Sequence, residues 1–430
     1  MGPSWLQWLL KHLLCLPGLA FATVLLLLAL GVRGRRRRRP GEPPLINGCI
    51  PFFGVFFQMK KNPYKSIQDY QKKYGNIFTL KIIGNYFTFV LDPFQYPLVL
   101  KNHKKFSFEK FKCEFVKKIF LVSIKPHMAK ELKDSQKDMQ SKLLDMSYDL
   151  MQNMKHIMKE RFLQAKNWET SQLYKFCRSL IFEVTYITFY GKDPGTNSGE
   201  VICELLKNFV KFDNEFLSFL SPLPTLSLRT LKNVREKLIQ NFSSEHISNM
   251  QETSEIIKAR KIFLDKFTDL QDHEKAESII NESFRMTSIS SNVRFSEEDI
   301  TLNLGNEDVN LRKGDNIIIY PPFLHYDPEI FEQPEKFKFD RFVEDGKKKT
   351  TFFKRGKEVP YFLLPFGSGI SKCPGRFLAV LEIKQLLIFL FMYFDLEFIE
   401  FKPLEFSNSR ILFGIQCPES DISFKYKLRC

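Results

Sequence analysis

The stretch PFGSGISKCPGRF, from Pro365 to Phe377, surrounds a single cysteine with characteristic residues at fixed distances from it. Phe366 stands seven positions before Cys373, Gly369 four positions before it and Gly375 two positions after it. Glycine takes backbone angles closed to other residues and lets a bulky planar ligand or a helix come close. The apolar run that follows, RFLAVLEIKQLLIFLFMYF, predicts a mostly buried helix. We therefore expect Cys373 to lie in a bent loop at a helix N-terminus.

The cysteine is the candidate chemical centre of this loop. A helix N-terminus favours negative charge, and Pro374 suits the first helical turn because its missing N–H costs nothing there. A thiolate in this place, with Phe366 as an apolar cover, is what a heme iron needs as an axial ligand that favours O–O cleavage. The alternative is a nucleophilic cysteine, although no histidine partner stands in an evident motif. The other cysteines form no Cys-x-x-Cys pair, and we expect most of them to be small buried residues.

This loop resembles the heme-binding loop of the heme-thiolate monooxygenases, the cytochromes P450. The resemblance implies a mainly α fold with small β-sheets, heme b as the cofactor, and Cys373 as the catalytic residue that ligates its iron. Other cofactor-binding residues implied by the resemblance are Phe366, Gly369, Gly375 and Arg376. The family usually has an arginine two residues before the cysteine, to meet a heme propionate, and this chain has Ser371 there.

A second motif, NESFR, places Glu282 and Arg285 one turn apart on a predicted helix, and it is the only Glu-x-x-Arg in the chain. A surface ion pair is the plain interpretation, worth about 0.3–0.5 kcal/mol. In the cytochromes P450 such a pair lies behind the heme and binds an arginine from a later loop. The stretch FKFDRF offers Arg341 for that role. The resemblance therefore implies a buried network of structural ion pairs, which specifies a fold more than it stabilises it.

The first 39 residues differ in composition from the rest. Leu13 to Val32 carries no charge, and its twenty residues are about the length that spans a bilayer core. Six arginines follow, at Arg33 and Arg35–Arg39, and favour a cytosolic position for the chain after them. A cleaved signal peptide is disfavoured because the charge follows the apolar run. We expect residues 1–39 to form a single-pass membrane anchor and residues 40–430 to form the monooxygenase domain.

The net positive charge of the chain indicates which kinds of binding partner to expect. The chain has a formal charge of +15 and a pI near 9.2, for which nucleic acid is one explanation. No zinc-finger, homeodomain or other reader motif occurs, so we expect no nucleic acid partner. Basic faces toward an anionic membrane surface and toward an acidic redox partner explain the charge instead.

Further stretches resemble the sterol 7α-hydroxylase branch of the family: RRPGEPPLINGCIPFFGV, VLDPFQYPLVLKNHKKFSF, EDGKKKTTFFKRGK and SRILFGIQ. This resemblance implies an endoplasmic-reticulum membrane enzyme whose body faces the cytosol. It implies insertion of one oxygen atom from O2 at the 7α position of an oxysterol or related steroid, in cholesterol metabolism and bile acid synthesis. Electrons would come from NADPH through NADPH-cytochrome reductase. An isomerisation at the same kind of heme is an alternative reaction.

One expected element is missing from the chain. The family has a long distal helix that crosses over the heme, followed by another helix. The interval that should hold both, QETSEIIKARKIFLDKFTDLQDHEKAES at 251–278, is polar and too short. We therefore expect an internally deleted cytochrome P450 fold, with the deletion close to Glu277. Because the distal helix forms one wall of the heme pocket, an inactive form that binds heme weakly or not at all is a second alternative.

Four patterns predict local structure elsewhere. Residues 76–91, NIFTLKIIGNYFTFVL, predict two strands around a turn at Gly84–Asn85, and Asp92–Pro93 then starts a helix. Residues 131–190 carry apolar side chains at helical spacing. The aromatic stretch Phe209–Phe219 fits either a helix that covers substrate or lipid, or a plain core helix.

Overall fold

The computed structural model describes residues 36–50, 52–120, 123–124, 142–162, 167–191, 198–215, 232–238, 270–303, 308–400, 403–407, 410 and 412–429. The predicted membrane segment Leu13–Val32 lies outside these stretches, as does most of the 251–278 interval. Within the stretches that are described, we find no helix both long enough and apolar enough to cross a bilayer.

Helices and strands are mixed along the chain. In chain order the helices are α1 (Phe56–Lys61), α2 (Pro63–Tyr74), α3 (Tyr96–Lys101), α4 (Phe108–Phe120), α5 (Leu143–Phe162), α6 (Leu173–Tyr190), α7 (Ser198–Asn214), α8 (Leu270–Thr287), α9 (Pro321–His325) and α10 (Arg376–Tyr393). The strands are β1 (Leu45–Ile46), β2 (Ile77–Ile82), β3 (Asn85–Val90), β4 (Phe106–Ser107), β5 (Glu169–Gln172), β6 (Asn292–Ser296), β7 (Ile300–Asn303), β8 (Asp308–Leu311), β9 (Asn316–Ile319), β10 (Val343–Glu344), β11 (Lys347–Lys348), β12 (Phe353–Lys354), β13 (Lys357–Glu358), β14 (Phe394–Phe398) and β15 (Ser423–Leu428).

The first compact unit comprises the described residues up to Ser107 together with Val293–Ile319. Its main sheet has the strand order β1-β2-β3-β9-β6-β4. β2 and β3 pair antiparallel, whereas β3 and β9 pair parallel. Consecutive side chains of the central strands are buried, so both faces of β2 and β9 are covered. The core of the unit includes Phe78, Leu80, Phe89, Ile317 and Ile319.

The predicted hairpin is present, but its turn lies one residue earlier than expected. β2 ends at Ile82 and β3 begins at Asn85, so Ile83 and Gly84 form the turn, with φ of 45° and 75°. Two consecutive positive φ values are typical of the tight turns that match strand twist. The backbone N–H groups of Ile83 and Gly84 donate to the carbonyls of Phe53 and Phe52, and these bonds hold the isoleucine in its left-handed conformation.

The helix predicted at Asp92–Pro93 is confirmed. The Asp92 carboxylate accepts a hydrogen bond from the backbone N–H of Phe94 at 3.0 Å and so caps the first turn. A short 3-10 turn, Pro93–Gln95, leads into α3.

The second unit comprises Phe108–Asn292 and Tyr320–Cys430. Its largest core joins α5, α6 and α10 to strands β14 and β15, and includes Leu150, Met154, Leu180, Val184, Leu386, Phe389, Phe394 and Phe424. The helical prediction for 131–190 is confirmed by α5 and α6 over most of its described part, but it is wrong at Glu169–Gln172, where β5 separates the two helices. β5 pairs antiparallel with β15, which lies far along the chain. The short polar sequence ETSQ has no apolar pattern that would predict a strand, because its partner strand decides its conformation.

The prediction that α10 is mostly buried is also wrong. Gln385, Leu386, Phe389 and Leu390 are buried, but the last turn is exposed, with Phe391 at 62%. The helix is apolar on all sides, so its sequence does not distinguish the face that packs on α5 and α6 from the others. In α7, Phe212 is buried in a core while Phe209 is 39% exposed, and residues 216–219 lie outside the described stretches.

Candidate functional site

The cysteine loop is shaped by glycines and ends at the start of α10. Gly367 and Gly369 have φ of 77° and 64°, values that favour glycine, and a single 3-10 turn covers Gly369–Ser371. The backbone N–H of Cys373 then donates to the carbonyl of Phe366 at 2.8 Å, which closes the loop. Helix α10 begins three residues after the cysteine, with Gly375 as its N-cap. Pro374 therefore precedes the cap and does not occupy the first helical turn that we expected.

The thiol of Cys373 is exposed. A Cβ atom at Gly375 would lie 4.0 Å from the sulfur, so Gly375 is adjacent to the sulfur and places no side chain there. Heme iron is held in proteins by a side chain such as a histidine or a cysteine thiolate. One accessible sulfur, beside a position without a side chain, fits that role. Cys373 and Gly375 are thus the residues that would hold and accommodate a heme.

Two other predicted residues fasten this loop. The ring of Phe366 packs edge-on against Phe284 of α8, with ring centroids 5.0 Å apart. Arg376 donates from Nη1 to the backbone oxygen of Cys373 at 3.0 Å, and its guanidinium carbon lies 4.0 Å from the centroid of the Phe377 ring. In this arrangement Arg376 holds the loop backbone next to the sulfur.

Sequence reasoning missed a buried polar contact behind the loop. The hydroxyl of Ser368, which is fully buried, lies 2.8 Å from the Oδ1 atom of Asn292 and donates to it. A Cβ atom at Gly367 would lie 3.4 Å from the same oxygen, so Gly367 allows the close approach. The two polar residues are 76 positions apart, and nothing in the local sequence of either indicates the other.

The structure brings Glu282, Arg285 and Arg341 together. Arg285 donates to Glu282 from Nε at 2.7 Å and from Nη2 at 2.9 Å, and both side chains are fully buried. Arg341 donates from Nε to both carboxylate oxygens, at 2.9 and 3.0 Å. The same carboxylate accepts the backbone N–H of Lys338 at 3.1 Å. Every oxygen of this buried carboxylate is thus bonded, as the high cost of a buried charge requires.

Both guanidinium groups also donate hydrogen bonds to backbone carbonyls. Arg285 donates from Nη1 to the carbonyl of His325 at 2.6 Å, and Arg341 donates to the carbonyls of Glu332, Gln333 and Lys336. Burial alone would raise the pKa of Glu282, but the hydrogen bonds from Arg285 and Arg341 outweigh it and hold the pKa below its ordinary value.

His325, which sequence reasoning did not select, is fully buried next to this network. Its Nε2 accepts the backbone N–H of Leu364 at 3.1 Å, one residue before the cysteine loop. Burial, together with the charge of Arg285, lowers the pKa of His325 to about 3. The ring is therefore neutral and serves as a hydrogen-bond acceptor that joins α9 to the approach of the loop.

The expectation that the other cysteines are buried is wrong for those that the structure describes. Cys49 and Cys203 are exposed, and Cys113, Cys177 and Cys417 are partly exposed. Exposure of the thiol therefore does not distinguish Cys373. What distinguishes it is its place between the glycine turns and the start of α10.

Comparison with known proteins gives the same family as the sequence motifs. The family model described as Cytochrome P450 matches residues 43–278 and 250–426. Mouse Cytochrome P450 7B1 is 37% identical over 493 aligned positions, which include 97% of this chain and 96% of the mouse protein. Rat 25-hydroxycholesterol 7-alpha-hydroxylase is 35% identical, over 78% of this chain and 99% of the rat protein.

A solved structure supports the fold. Retinoic acid-bound cyanobacterial CYP120A1 superposes with a TM-score of 0.67 and covers 90% of this chain and 99% of that chain, at 15% identity. The family matches cover most of the residues, and the relatives include the rat 25-hydroxycholesterol 7-alpha-hydroxylase and, at 32% identity, a Cricetulus griseus cholesterol 7-alpha-monooxygenase. The chain therefore belongs to the cytochrome P450 family, on its sterol 7α-hydroxylase branch.

Proposed function

We propose that this P450 monooxygenase of sterol metabolism hydroxylates oxysterols at the 7α position, with Cys373 as the axial ligand of its heme. The observation that carries the proposal is the accessible Cys373 sulfur at the start of α10, beside Gly375. The rat relative, whose name states 7α-hydroxylation of 25-hydroxycholesterol, supports the choice of substrate class.

A thiolate-ligated heme, when bound, would supply the two-electron reductive cleavage of O2, which gives one oxygen atom to the sterol and the other to water. The chain's own residues position that group. Arg376 holds the Cys373 backbone through its carbonyl, Phe366 anchors the loop on α8 through Phe284, and Ser368 anchors it through Asn292. Contacts of this kind fix the direction of the cysteine side chain before the cofactor arrives.

The same proposal includes the surroundings of the enzyme. The apolar segment Leu13–Val32 anchors the chain in the endoplasmic reticulum membrane, with the body in the cytosol, and the arginines after it support this orientation. NADPH-cytochrome reductase supplies the electrons. The basic composition of the chain supports association with an acidic partner.

The proposal also includes an internal deletion close to Glu277 that removes the distal helix. The alignment with the mouse relative needs 493 positions for 97% of a 430-residue chain, so several tens of positions hold no residue of this chain. Helix α8 passes Glu277 without a break, and Glu277 bonds to Lys348 and, at 3.5 Å, to Lys384. A chain without the distal wall would lack the dry cavity that oxygen activation needs, so we expect little turnover from it.

A carbon monoxide difference spectrum of the reduced, purified chain is the first test. A red-shifted thiolate band supports the ligand assignment, whereas a chain without any heme band is the inactive form that we kept as an alternative. Incubation with 25-hydroxycholesterol, NADPH and reductase is the second test. A 7α-hydroxylated product supports the proposed hydroxylation. An isomerised product formed without NADPH would support the isomerase alternative instead.

A further inference from the structure

The arginine run after the apolar segment is partly built into the first unit. Arg36 donates from Nη1 to both carboxylate oxygens of Asp315, at 2.6 and 2.7 Å. The side chains of this pair are only 10% and 6% exposed. The guanidinium carbon of Arg36 also lies 4.9 Å from the centroid of the Tyr86 ring, and its backbone N–H donates to the Tyr86 hydroxyl at 3.2 Å. A buried ion pair of this kind, next to an aromatic ring, is a structural contact and not a free surface charge.

A second carboxylate, that of Glu42, contacts Arg36 and Arg39 of the same run. Glu42, which is 4% exposed, accepts the backbone N–H of Arg39 at 2.8 Å and lies 3.5 Å from the Arg36 guanidinium. Arg312 donates to Glu42 and also, from Nη2, to the carbonyl of Arg37 at 2.7 Å. Burial alone would raise the pKa of Glu42, but the bonds from Arg312 and the Arg39 backbone lower it to about 2. Glu42 therefore stays ionised at neutral pH.

Exposed phenylalanines lie at the same end of the β2–β3 hairpin as these contacts. Tyr86 stands two residues after the turn glycine Gly84, whose N–H donates to the carbonyl of Phe52 at 2.8 Å. The Phe52 ring also lies against Gly84. Phe52 and Phe57 are 41% and 52% exposed. This end of the hairpin thus contacts Arg36 through Tyr86 of β3 and the exposed Phe52 through the turn residue Gly84.

We propose that Arg36, Glu42, Asp315 and Arg312 form an ionic clasp that fixes the exit of the membrane anchor at the hairpin turn, so that Phe52 and Phe57 face the phospholipid surface. The inference rests on the proposed membrane anchor. Val32, the last residue of the apolar segment, stands four residues before Arg36, and a chain of that length reaches at most about 14 Å from the clasp. Arg37, Arg38 and Arg39 remain exposed, which suits anionic headgroups.

The test uses the full chain in vesicles of phosphatidylcholine and phosphatidylserine. p-Benzoylphenylalanine replaces Phe57, and, in a control protein, it replaces Asn76. Asn76 is exposed at the opposite end of the same hairpin, about 20 Å from the turn. After illumination, lipid adducts are measured by mass spectrometry. We expect adducts at position 57 at least five times as abundant as at position 76.

The clasp variants decide whether the ion pairs cause this orientation. Asp315→Asn and, independently, Arg36→Gln are each combined with the probe at position 57, and each should lower the adduct yield several-fold, whereas Arg36→Lys should preserve most of it. Undiminished adducts in both clasp variants, or equal adducts at positions 57 and 76, would overturn the clasp. Carbonate extraction of the same samples reports the anchor itself. Loss of the unaltered chain into the soluble fraction would show that the proposed anchoring has failed instead.

Discussion

Arg341 donates from a single Nε atom to both carboxylate oxygens of Glu282, at 2.9 and 3.0 Å, although 59 positions separate the two residues in sequence. Together with Arg285 this contact gives one buried carboxylate two guanidinium partners. The arrangement ties α8 to the segment that follows α9. Because all of these groups have left water, the loss of any one of them leaves a buried charge without compensation.

We expect Glu282→Gln to lower the free energy of unfolding by about 3–5 kcal/mol, because a neutral amide cannot balance two buried guanidinium groups. Denaturant unfolding of the detergent-solubilised chain measures the effect. Glu298→Gln is the control, because Glu298 pairs with Lys105 at 3.5 Å with both side chains more than half exposed, and its loss should cost no more than about 1 kcal/mol. Equal losses for the two variants would contradict the buried network.

His325 predicts a pH dependence of stability. The pKa of His325 is lowered from 6.5 to about 3 by burial and by the Arg285 charge. Between about pH 3 and pH 6.5, His325 is therefore protonated in the unfolded chain but neutral in the folded chain. Stability is lost as the pH falls below about 6.5, by about 1.4 kcal/mol per pH unit from this group.

The variant His325→Gln keeps an acceptor for the Leu364 N–H and removes the titration. Unfolding midpoints at pH 7, 6 and 5 should therefore fall less steeply in this variant than in the unaltered chain. The control His103→Gln, at an exposed position, should retain the original slope. The prediction fails if the two variants and the unaltered chain share one slope.

Cys373→Ala should abolish the thiolate band in the carbon monoxide difference spectrum, because no sulfur remains at the start of α10. Cys203→Ala is the matched control, since Cys203 is also an exposed cysteine, although it lies within α7. It should leave the band unchanged. A thiolate band that survives in Cys373→Ala would show that another cysteine ligates the iron.

Ser368→Ala should loosen the cysteine loop. The substitution removes the donor to a buried Asn292 oxygen and should cost about 1–3 kcal/mol. We expect the heme to dissociate several times faster as a result. Ser283→Ala serves for comparison, because Ser283 is exposed and bonds only within α8, to Ile279. An identical heme dissociation rate for both variants would show that the hydrogen bond to Asn292 does not stabilise the cysteine loop.

Insertion of the distal helix of the mouse relative close to Glu277 should raise turnover of 25-hydroxycholesterol well above that of the 430-residue chain. General acid–base assistance alone contributes about 10²–10⁴ in rate, and it needs a positioned donor in a dry cavity. Both forms are assayed with the same reductase and normalised to bound heme. Equal turnover would show that the chain already has a complete distal wall.

Short-range patterns in the sequence were sufficient for several elements. The hairpin at 77–90, the cap at Asp92 and the position of Cys373 before a helix depend on residues within one or two turns of each other. Such features are predictable because local geometry, and not packing, decides them. The hairpin turn shows the limit of this reasoning. The sequence favoured Gly84–Asn85, but backbone bonds to Phe52 and Phe53 placed the turn at Ile83–Gly84.

The contacts of the candidate site and, separately, of the arginine run are long-range, and only the tertiary structure decided them. Ser368 donates a hydrogen bond to Asn292, 76 positions away in sequence, and Arg36 pairs with Asp315, 279 positions away. The family resemblance pointed to Arg341, but not to the carbonyl of His325 or the N–H of Lys338.

The sequence by itself determined the cysteine loop, the Glu-x-x-Arg pair and the family, because each is written in residues at fixed, short spacing. The tertiary structure decided which face of α10 is buried, how the carboxylate of Glu282 is satisfied and where Arg36 is held. The physical reason is that a buried charge or an apolar face is stable only against specific partners, and folding alone brings those partners together.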